Sequence, residues 1–364
     1  MGCISKLACS LLFVFLIASP IMAGEGAKQE GEKTEASVGK KFEPGSFIFE
    51  HIGDAYSWHI VTINHKHYSI PLLVIVYSSY SGWNVFLSSK LHNGEVAYHN
   101  FTIAESGAYK GKIVEILPNN QEAKPFDISI TKNVCALFIS LGLLLWIFLS
   151  VTASYKKNPN RAPKGIQSFM EPLILFVRDD IAIPSIGEHK YEKYMPYLLS
   201  IFFFILINNA MGLIPIFPGG ANVTGNIAIT LILALCTFVI TTFSGNKHYW
   251  LEIFNPPGVP WWLKLPIPLI PFIELIGVFI KPFVLMVRLF ANITAGHVIA
   301  LGFFSLIFIF GAMKVYLGYS VMPISILFTF FMSLLELLVA FIQAYVFTLL
   351  SALYFGMALE EEHH

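Results

Sequence analysis

One arginine interrupts a run that is otherwise apolar. From Phe283 the chain reads FVLMVRLFANITAGHVIALGFF, and Arg288 is its only permanent charge. An arginine at a bilayer centre costs about 2.5–3.5 kcal/mol on insertion scales. A guanidinium keeps its charge throughout the physiological range. Glu274, Lys281 and Arg288 are seven apart and share one helix face, provided Pro282 does not swivel the segment. Asn292 follows Arg288 by four and shares its neighbourhood, whereas His297 follows by nine and falls on the opposite side. Further on, Glu336 and Gln343 are seven apart on one face, and Tyr354 falls close to that face eleven residues later.

If these two segments form an antiparallel hairpin with Arg288 level with Gln343, His297 stands about 13.5 Å and Glu336 about 10.5 Å toward the same side. Two titratable groups then reach nearly one depth. Histidine and glutamate both exchange protons near neutral pH when their surroundings shift them. The expected arrangement is one permanent cation with a His–Glu proton path displaced toward one side. Asn292 or Gln343 alone reads equally well as interhelical glue, and a lone His or Glu as a packed polar group. A buried arginine without an acidic neighbour at its depth on its own helix needs a counter-charge from another element or subunit.

The elements that must hold these residues are membrane helices. The chain has 364 residues, 55% hydrophobic and 13% charged, with mean hydropathy +0.67. A soluble domain carries roughly 25% charged residues, so a polytopic membrane protein is expected. The formal net charge is zero, which gives no general reason to expect a nucleic-acid partner. Cys3, Cys9, Cys135 and Cys236 form no readable disulfide framework or metal motif.

Val134 to Ala153 carries no charge and is long enough to span. Lys156, Lys157, Arg161 and Lys164 follow it and place that loop inside the cell by the positive-inside rule. Ile166 to Ile181 is amphipathic: Ile166, Phe169, Met170, Leu173, Ile174, Val177 and Ile181 recur at helical spacing, with Gln167, Glu171, Arg178 and Asp179 elsewhere. That suits a helix lying on the inner face. Met195 to Phe217 and Ile227 to Phe243 are the next spans, joined outside by FPGGANVTG, and the loop flanked by Lys247 and Lys264 is internal again. Two long helical stretches follow, from about Ile267 to Ala312 and from about Val321 to Leu359. Forty helical residues measure about 60 Å, twice the hydrocarbon thickness. Each is therefore strongly tilted or else broken and partly interfacial, and Pro266, Pro268, Pro271 and Pro282 predict kinks near the first one's start.

The N-terminal part is of another kind. MGCISKLACSLLFVFLIASPIMAGEG has the basic, apolar and small-residue regions of a signal peptide ending at Ala23, or of an uncleaved anchor. Residues 24–46 read as a flexible linker. Residues 47–130 read as a small, mostly β, exported domain, with FIFEHI, WHIVTI, YSIPLLVIVY, WNVFLSS and KIVEIL separated by turn formers. This domain holds six histidines; His65 and His67 are two apart and would share a strand face, but surface histidines are the plainer reading. Residues 131–364 form the membrane domain.

At KPFVLMVRLFANITAGHVI and ELLVAFIQAYVFTLLSALYFGMALEEEHH the chain resembles subunit a of F-type ATP synthases. The resemblance extends more weakly through FVRDDIAIPSIG and the first span, over about Val134 to Glu362. It implies a non-catalytic subunit without cofactor or metal. Such a subunit forms two offset half-channels against a rotating ring of c subunits in a bacterial inner membrane, alongside the b-subunit peripheral stalk and the other synthase subunits. It implies further that Arg288 is the stator arginine, with Asn292 and Gln343 its polar neighbours, and that His297 and Glu336 line the periplasmic half-channel. Many bacterial members carry these last two residues exchanged. Glu274, Lys281 and Tyr354 complete the set of proton-translocation residues.

Two other classes fit less well. A secondary transporter predicts inverted repeats with broken helices in both halves, and none is visible. A membrane enzyme needs converging nucleophile, base or metal groups, and the exported domain offers scattered histidines.

Overall fold

The computed structural model describes residues 45, 48, 52–63, 66–94, 96–104, 107–118, 121–157, 162–214, 217–254 and 269–360. The signal-peptide reading, the linker apart from Gly45, His65, Arg161, Lys264, Pro266, Pro268 and residues 361–364 lie outside them, as does the side chain of His67.

Among the described residues eight short strands form three small sheets. Strands β1 (Ser57–Ile63) and β2 (Lys66–Pro71) pair as an antiparallel hairpin. Strand β3 (Leu73–Ser78) lies between β4 (Gly82–Leu87) and β8 (Phe126–Asp127). Strand β6 (Ile113–Ile116) lies between β5 (Phe101–Ile103) and β7 (Glu122–Ala123). Alternation along each strand decides which side chains go inward. Val74, Val76 and Phe86 join Tyr56, Leu91, Phe101 and Ile113 in the domain core. The opposite face of β4–β3–β8 is apolar too, with Tyr77, Trp83, Val85, Leu87 and Phe126 exposed.

Two segments read as strands are not strands throughout. In FIFEHI the described residues Ile48 and Ile52 are helical; four apart, they fall on one helix face. WNVFLSS is a strand only to Leu87, and Ser88–Gly94 is a 3₁₀-helix. Ser88 ends the strand because its backbone N–H donates to Leu72 O while its hydroxyl accepts from Leu72 N.

The rest is helical. Helix α1 (Lys132–Lys157) follows β8 directly. Next come α2 (Ile166–Phe176), a π-helical turn (Val177–Ala182) and the one-turn α3 (Ile183–Ile186). Then α4 (Tyr191–Leu213), α5 (Ile227–Ser244), α6 (Lys247–Phe254), α7 (Leu269–Met313) and α8 (Val315–Leu359) complete the bundle. Among the described residues five helices, α1, α4, α5, α7 and α8, are long and apolar enough to cross a membrane. Their shared core runs through Leu198, Phe202 and Ile205 of α4, Leu233 of α5, Leu289 and Ile293 of α7, and Ala344 and Phe355 of α8.

Three expectations about the helices need correction. Gln167 does not lie on a water-facing side of α2; it is buried and accepts a hydrogen bond from Ser154 Oγ of α1 at 2.7 Å. The last helix begins at Val315, six residues before Val321, because the hairpin turn consists of Lys314 alone, in extended conformation at φ −155°, ψ 134°. Gly318 lies in its first turn, where a Cβ would come within 2.8 Å of Gly311 Cα. The segment read as a polar internal loop contains α6, whose Tyr249 and Ile253 pack on Val278 and Ala358.

The long helices are continuous across Pro282 and Pro323. At 45 residues each they measure about 67 Å. The C-terminal end of α8 is capped from outside: Asn246 N and Nδ2 donate to Ala358 O and Leu359 O, and Lys190 Nζ donates to Leu359 O. These satisfy carbonyls that a helix end leaves open, and the lysine complements the negative end of the helix dipole.

Candidate functional site

The polar residues on α7 and α8 fall at three levels. At the level nearest the hairpin turn, His297 Nδ1 stands 2.8 Å from Glu336 Oε1, and the glutamate is buried. The distance is that of an ion pair, while no hydrogen bond is completed at Oε1 among the described residues. The two residues meet although their Cα positions are unequally far from the turn. Glu336 lies 22 residues after Lys314 and His297 lies 17 before it. A helical side chain leans toward the N-terminus of its own helix by about a turn. The Glu336 carboxylate therefore hangs back toward Lys314, to the height of Gly296 and His297. Gly296 makes room for it: a Cβ there would lie 3.1 Å from Glu336 Oε1 and 3.2 Å from its Cδ.

Helix α4 closes this level from a third side. Gly212 faces His297, and a Cβ on it would stand 3.6 Å from the imidazole Nε2. Asn209 Nδ2 donates to Ala340 O of α8 at 3.1 Å, and its Oδ1 accepts from Thr224 Oγ1 at 2.6 Å. Asn222, in the same loop, is buried with Nδ2 lacking a hydrogen-bond partner among the described residues. These amides and the threonine were not singled out from the sequence. The signal was there, since Asn208-Asn209 is a polar pair inside an apolar span, and such pairs face the bundle interior.

The middle level holds Arg288 and Asn292. Both are exposed on the surface of α7, and among the described residues no carboxylate stands within ion-pair distance of the guanidinium. Gln343 is buried on α8 and makes no hydrogen bond to either of them among the described residues. The arginine's surroundings within this chain are thus one-sided.

The third level lies about 10.5 Å beyond Arg288 along the helix. Lys281 Nζ sits 5.5 Å from the Tyr354 ring centre in a cation–π contact. Glu274 is exposed and does not reach Lys281. Behind them Thr237 joins three helices, bonding to Tyr197 OH at 2.8 Å and to Ser351 Oγ at 3.2 Å.

The β domain is joined to the membrane helices by specific contacts. Asp54 Oδ1 accepts from Asn133 N at 3.0 Å, and Ala55 O accepts from Lys132 N at 2.8 Å, so the first turn of α1 is capped by the preceding domain. Burial raises the Asp54 carboxyl above its ordinary value of 3.8, against the opposing pull of that Asn133 bond. Trp58 of β1 is buried and meets Phe217 edge-on at 5.1 Å. Arg178 and Asp179, at the π-turn, form an exposed pair at 2.6 Å that lowers the Asp179 carboxyl. No group of three or more His, Cys, Asp or Glu able to hold a metal occurs among the described residues.

A family model described as ATP synthase A chain matches residues 134–356. A second, described as a domain of unknown function (DUF8433), matches residues 47–132. The ATP synthase subunit a of Chloroherpeton thalassium is 44% identical over 250 residues, covering 67% of this chain and 70% of its own. That named ATP synthase subunit a 2 in Chlorobaculum tepidum is 49% identical over 241 residues, 65% of each chain. The ATP synthase subunit a of Myxococcus xanthus is 40% identical over 243 residues, 65% of this chain and 75% of its own.

Proposed function

Because the chain belongs to the ATP synthase A chain family, we propose that it works as the proton-translocating stator subunit of an F-type ATP synthase, with Arg288 as the charge that makes proton flow turn a ring. It is a membrane channel subunit of that complex, not the part that makes ATP. The observation that carries the role of Arg288 is its exposure on α7 without an acid partner among the described residues. A permanent cation on the outside of a membrane helix is stable if a partner's carboxylate comes to it.

That partner is a ring of c subunits, each bearing a carboxyl group in mid-membrane. Opposite Arg288 the ring carboxyl is held ionised. An ionised carboxyl cannot face lipid, whereas a protonated one can. Each carboxyl must take up a proton on one side of the arginine and release one on the other, and the ring rotates as they pass. His297 and Glu336 form the external half-channel, on the turn side of Arg288. Lys281, Glu274 and Tyr354 line the internal one, with Asn292 and Gln343 flanking the arginine. The offset along α7, nine residues one way and seven the other, keeps the two routes from meeting.

The topology that goes with this reading has five spans in a bacterial inner membrane. A signal peptide ends at Ala23, a linker runs to residue 46, and residues 47–130 form a periplasmic domain. Residues 131–364 form the membrane domain with a cytoplasmic C-terminus, and α2 lies along the inner interface beside the peripheral-stalk b subunit. The basic residues Lys156, Lys157 and Lys164 support the orientation.

The test is Arg288→Ala in the whole complex. ATP synthesis driven by an imposed proton gradient in vesicles should be abolished. Near-normal synthesis in that variant would remove the assignment.

A further inference from the structure

The β domain touches the membrane helices at one aromatic contact that leads to the proton pair. Trp58, on β1, is 3% exposed, and its ring meets Phe217 at 73°. Phe217 lies in the loop between α4 and α5. That loop folds back onto the end of α4: Gly220 N donates to Met211 O, and Thr224 Oγ1 donates to Asn209 Oδ1. The same stretch of α4 meets His297 and the helix that carries Glu336. Gly212 lies between Ala221 O and the His297 ring, each 3.6 Å from where its Cβ would be. Asn209 holds α8 at Ala340, one turn from Glu336. Position therefore passes from Trp58 to Phe217, to the loop, to Gly212 and Asn209, and so to His297 and Glu336.

We propose that Trp58 is a positioning residue for the external proton pair, clamping Phe217 so that the α4–α5 loop keeps Gly212 against His297 and Asn209 against the helix of Glu336. This gives the periplasmic domain a part in proton uptake, and it rests on the reading of His297 and Glu336 as the external half-channel. The contact is made by packing area. Trp58 is buried among apolar groups, and Ile70, its cross-strand partner, packs against the same core. An aromatic pair in this geometry resists sliding more than an aliphatic contact of equal area. His297 and Glu336 are the titratable groups that face each other at the site. The α4 side and the loop contribute Asn209, Asn222 and Thr224, none of which titrates in the physiological range.

The experiment uses the complete synthase reconstituted in vesicles, carrying Trp58→Ala, Phe217→Ala, both together, or Trp58→Phe. The rate of proton-driven ATP synthesis is taken per assembled complex and followed against external pH. Each alanine variant should lose about threefold, the scale of effect transmitted through packed neighbours, and its pH profile should shift. The double variant should be no worse than the worse single one, because both break the same contact. Trp58→Phe should restore most of the rate and the wild-type profile. The inference is overturned if the alanine variants keep the wild-type rate and profile, if the losses add in the double variant, or if the loss tracks only the amount of assembled complex. Should Trp58→Ala prevent assembly, Phe217→Ala and Trp58→Phe decide the question by the same readings. Arg288→Ala and Glu336→Gln are measured alongside. If either keeps wild-type synthesis, the half-channel reading itself fails; if both are impaired while the aromatic variants are not, only the clamp is wrong.

Discussion

The Glu336 carboxylate reaches the His297 imidazole across the backbone of Gly296. The two side chains are 2.8 Å apart, and the glycine lies alongside Oε1, Cδ and Cγ of the glutamate. A third side chain at residue 296 would occupy the space through which the carboxylate leans.

Gly296→Ala should therefore disturb the pair without touching either titratable group. Its Cβ would sit 3.1 Å from Glu336 Oε1 and 3.3 Å from its Cγ, tighter than most such contacts, so the Glu336 side chain must give by a few tenths of an ångström. Proton-driven ATP synthesis should fall by up to about tenfold, the scale of loss from misplacing a reacting group by less than an ångström. Passive proton leak through the membrane should stay at the wild-type level, because Arg288 is untouched. A wild-type synthesis rate would contradict the geometry.

The exchange of partners tests whether the two residues act as a unit. His297→Glu alone gives two carboxyls, and Glu336→His alone gives two imidazoles. The double exchange restores one of each, and groups this close titrate together. Synthesis across pH should be better in the double variant than in either single one. A double variant no better than the worse single one would separate the residues.

Arg288→Lys should be nearly as damaging as Arg288→Ala. A desolvated lysine can lose its proton, and its point charge does not reproduce the planar guanidinium. Gradient-driven synthesis within about twofold of wild type would show that any cation suffices at this position.

Orientation is checked by single cysteines in a background lacking the native ones. Ser89→Cys, in the β domain, should react with an impermeant thiol reagent from the periplasmic side of intact cells. Ser168→Cys, on α2, should react only once the inner membrane is opened. The reverse pattern would invert the topology.

Asp54 predicts a pH effect at the start of α1. Its folded pKa is raised above 3.8 by burial, so the folded state binds a proton more tightly than the unfolded chain. Stability from this group is complete below about pH 4 and is lost as pH rises through the raised value. Hydrogen-exchange protection of the amides of Lys132 and Asn133, corrected for intrinsic rates, should decline over that range. In Asp54→Asn the decline should vanish, since the amide oxygen still accepts the bond and carries no charge. An identical decline in both proteins would assign the effect elsewhere.

The chemistry was more legible than the packing. A lone arginine in an apolar run, and the seven- and nine-residue spacings around it, are readable because helix geometry converts residue count into angle and height. That His297 and Glu336 come within contact needs more than counting: they lie 17 and 22 residues from the turn, and the lean of the Glu336 side chain closes the difference. The hairpin's own turn was harder to place. The start near Val321 is six residues late, and the backbone of Gly311 opposite explains why a glycine, Gly318, stands inside the first turn of α8. Gln167 reads as surface because it is polar, yet Ser154 of α1 makes it an interior residue. Helix α6 was missed because its apolar residues, Tyr249 and Ile253, meet partners about 25 and 100 residues away in sequence. Local periodicity carries no record of such partners.

The turn at Lys314 makes the α7–α8 hairpin a kind of vernier. With one residue between the helices, the height at which Glu336 faces His297 is fixed by counting along two arms. Adding a single residue to either arm would move everything beyond it by about 1.5 Å and rotate it by about 100°, carrying the carboxylate off the shared face. The loop outside has no slack to absorb the change, since Gly311 and Gly318 already touch. Away from Arg288 and Asn292 the outer surface of the hairpin tolerates exchange of side chains, but its arms can lengthen or shorten only in matched steps. The length of the hairpin is thus fixed by the meeting of His297 and Glu336, through a turn 17 and 22 residues away from them.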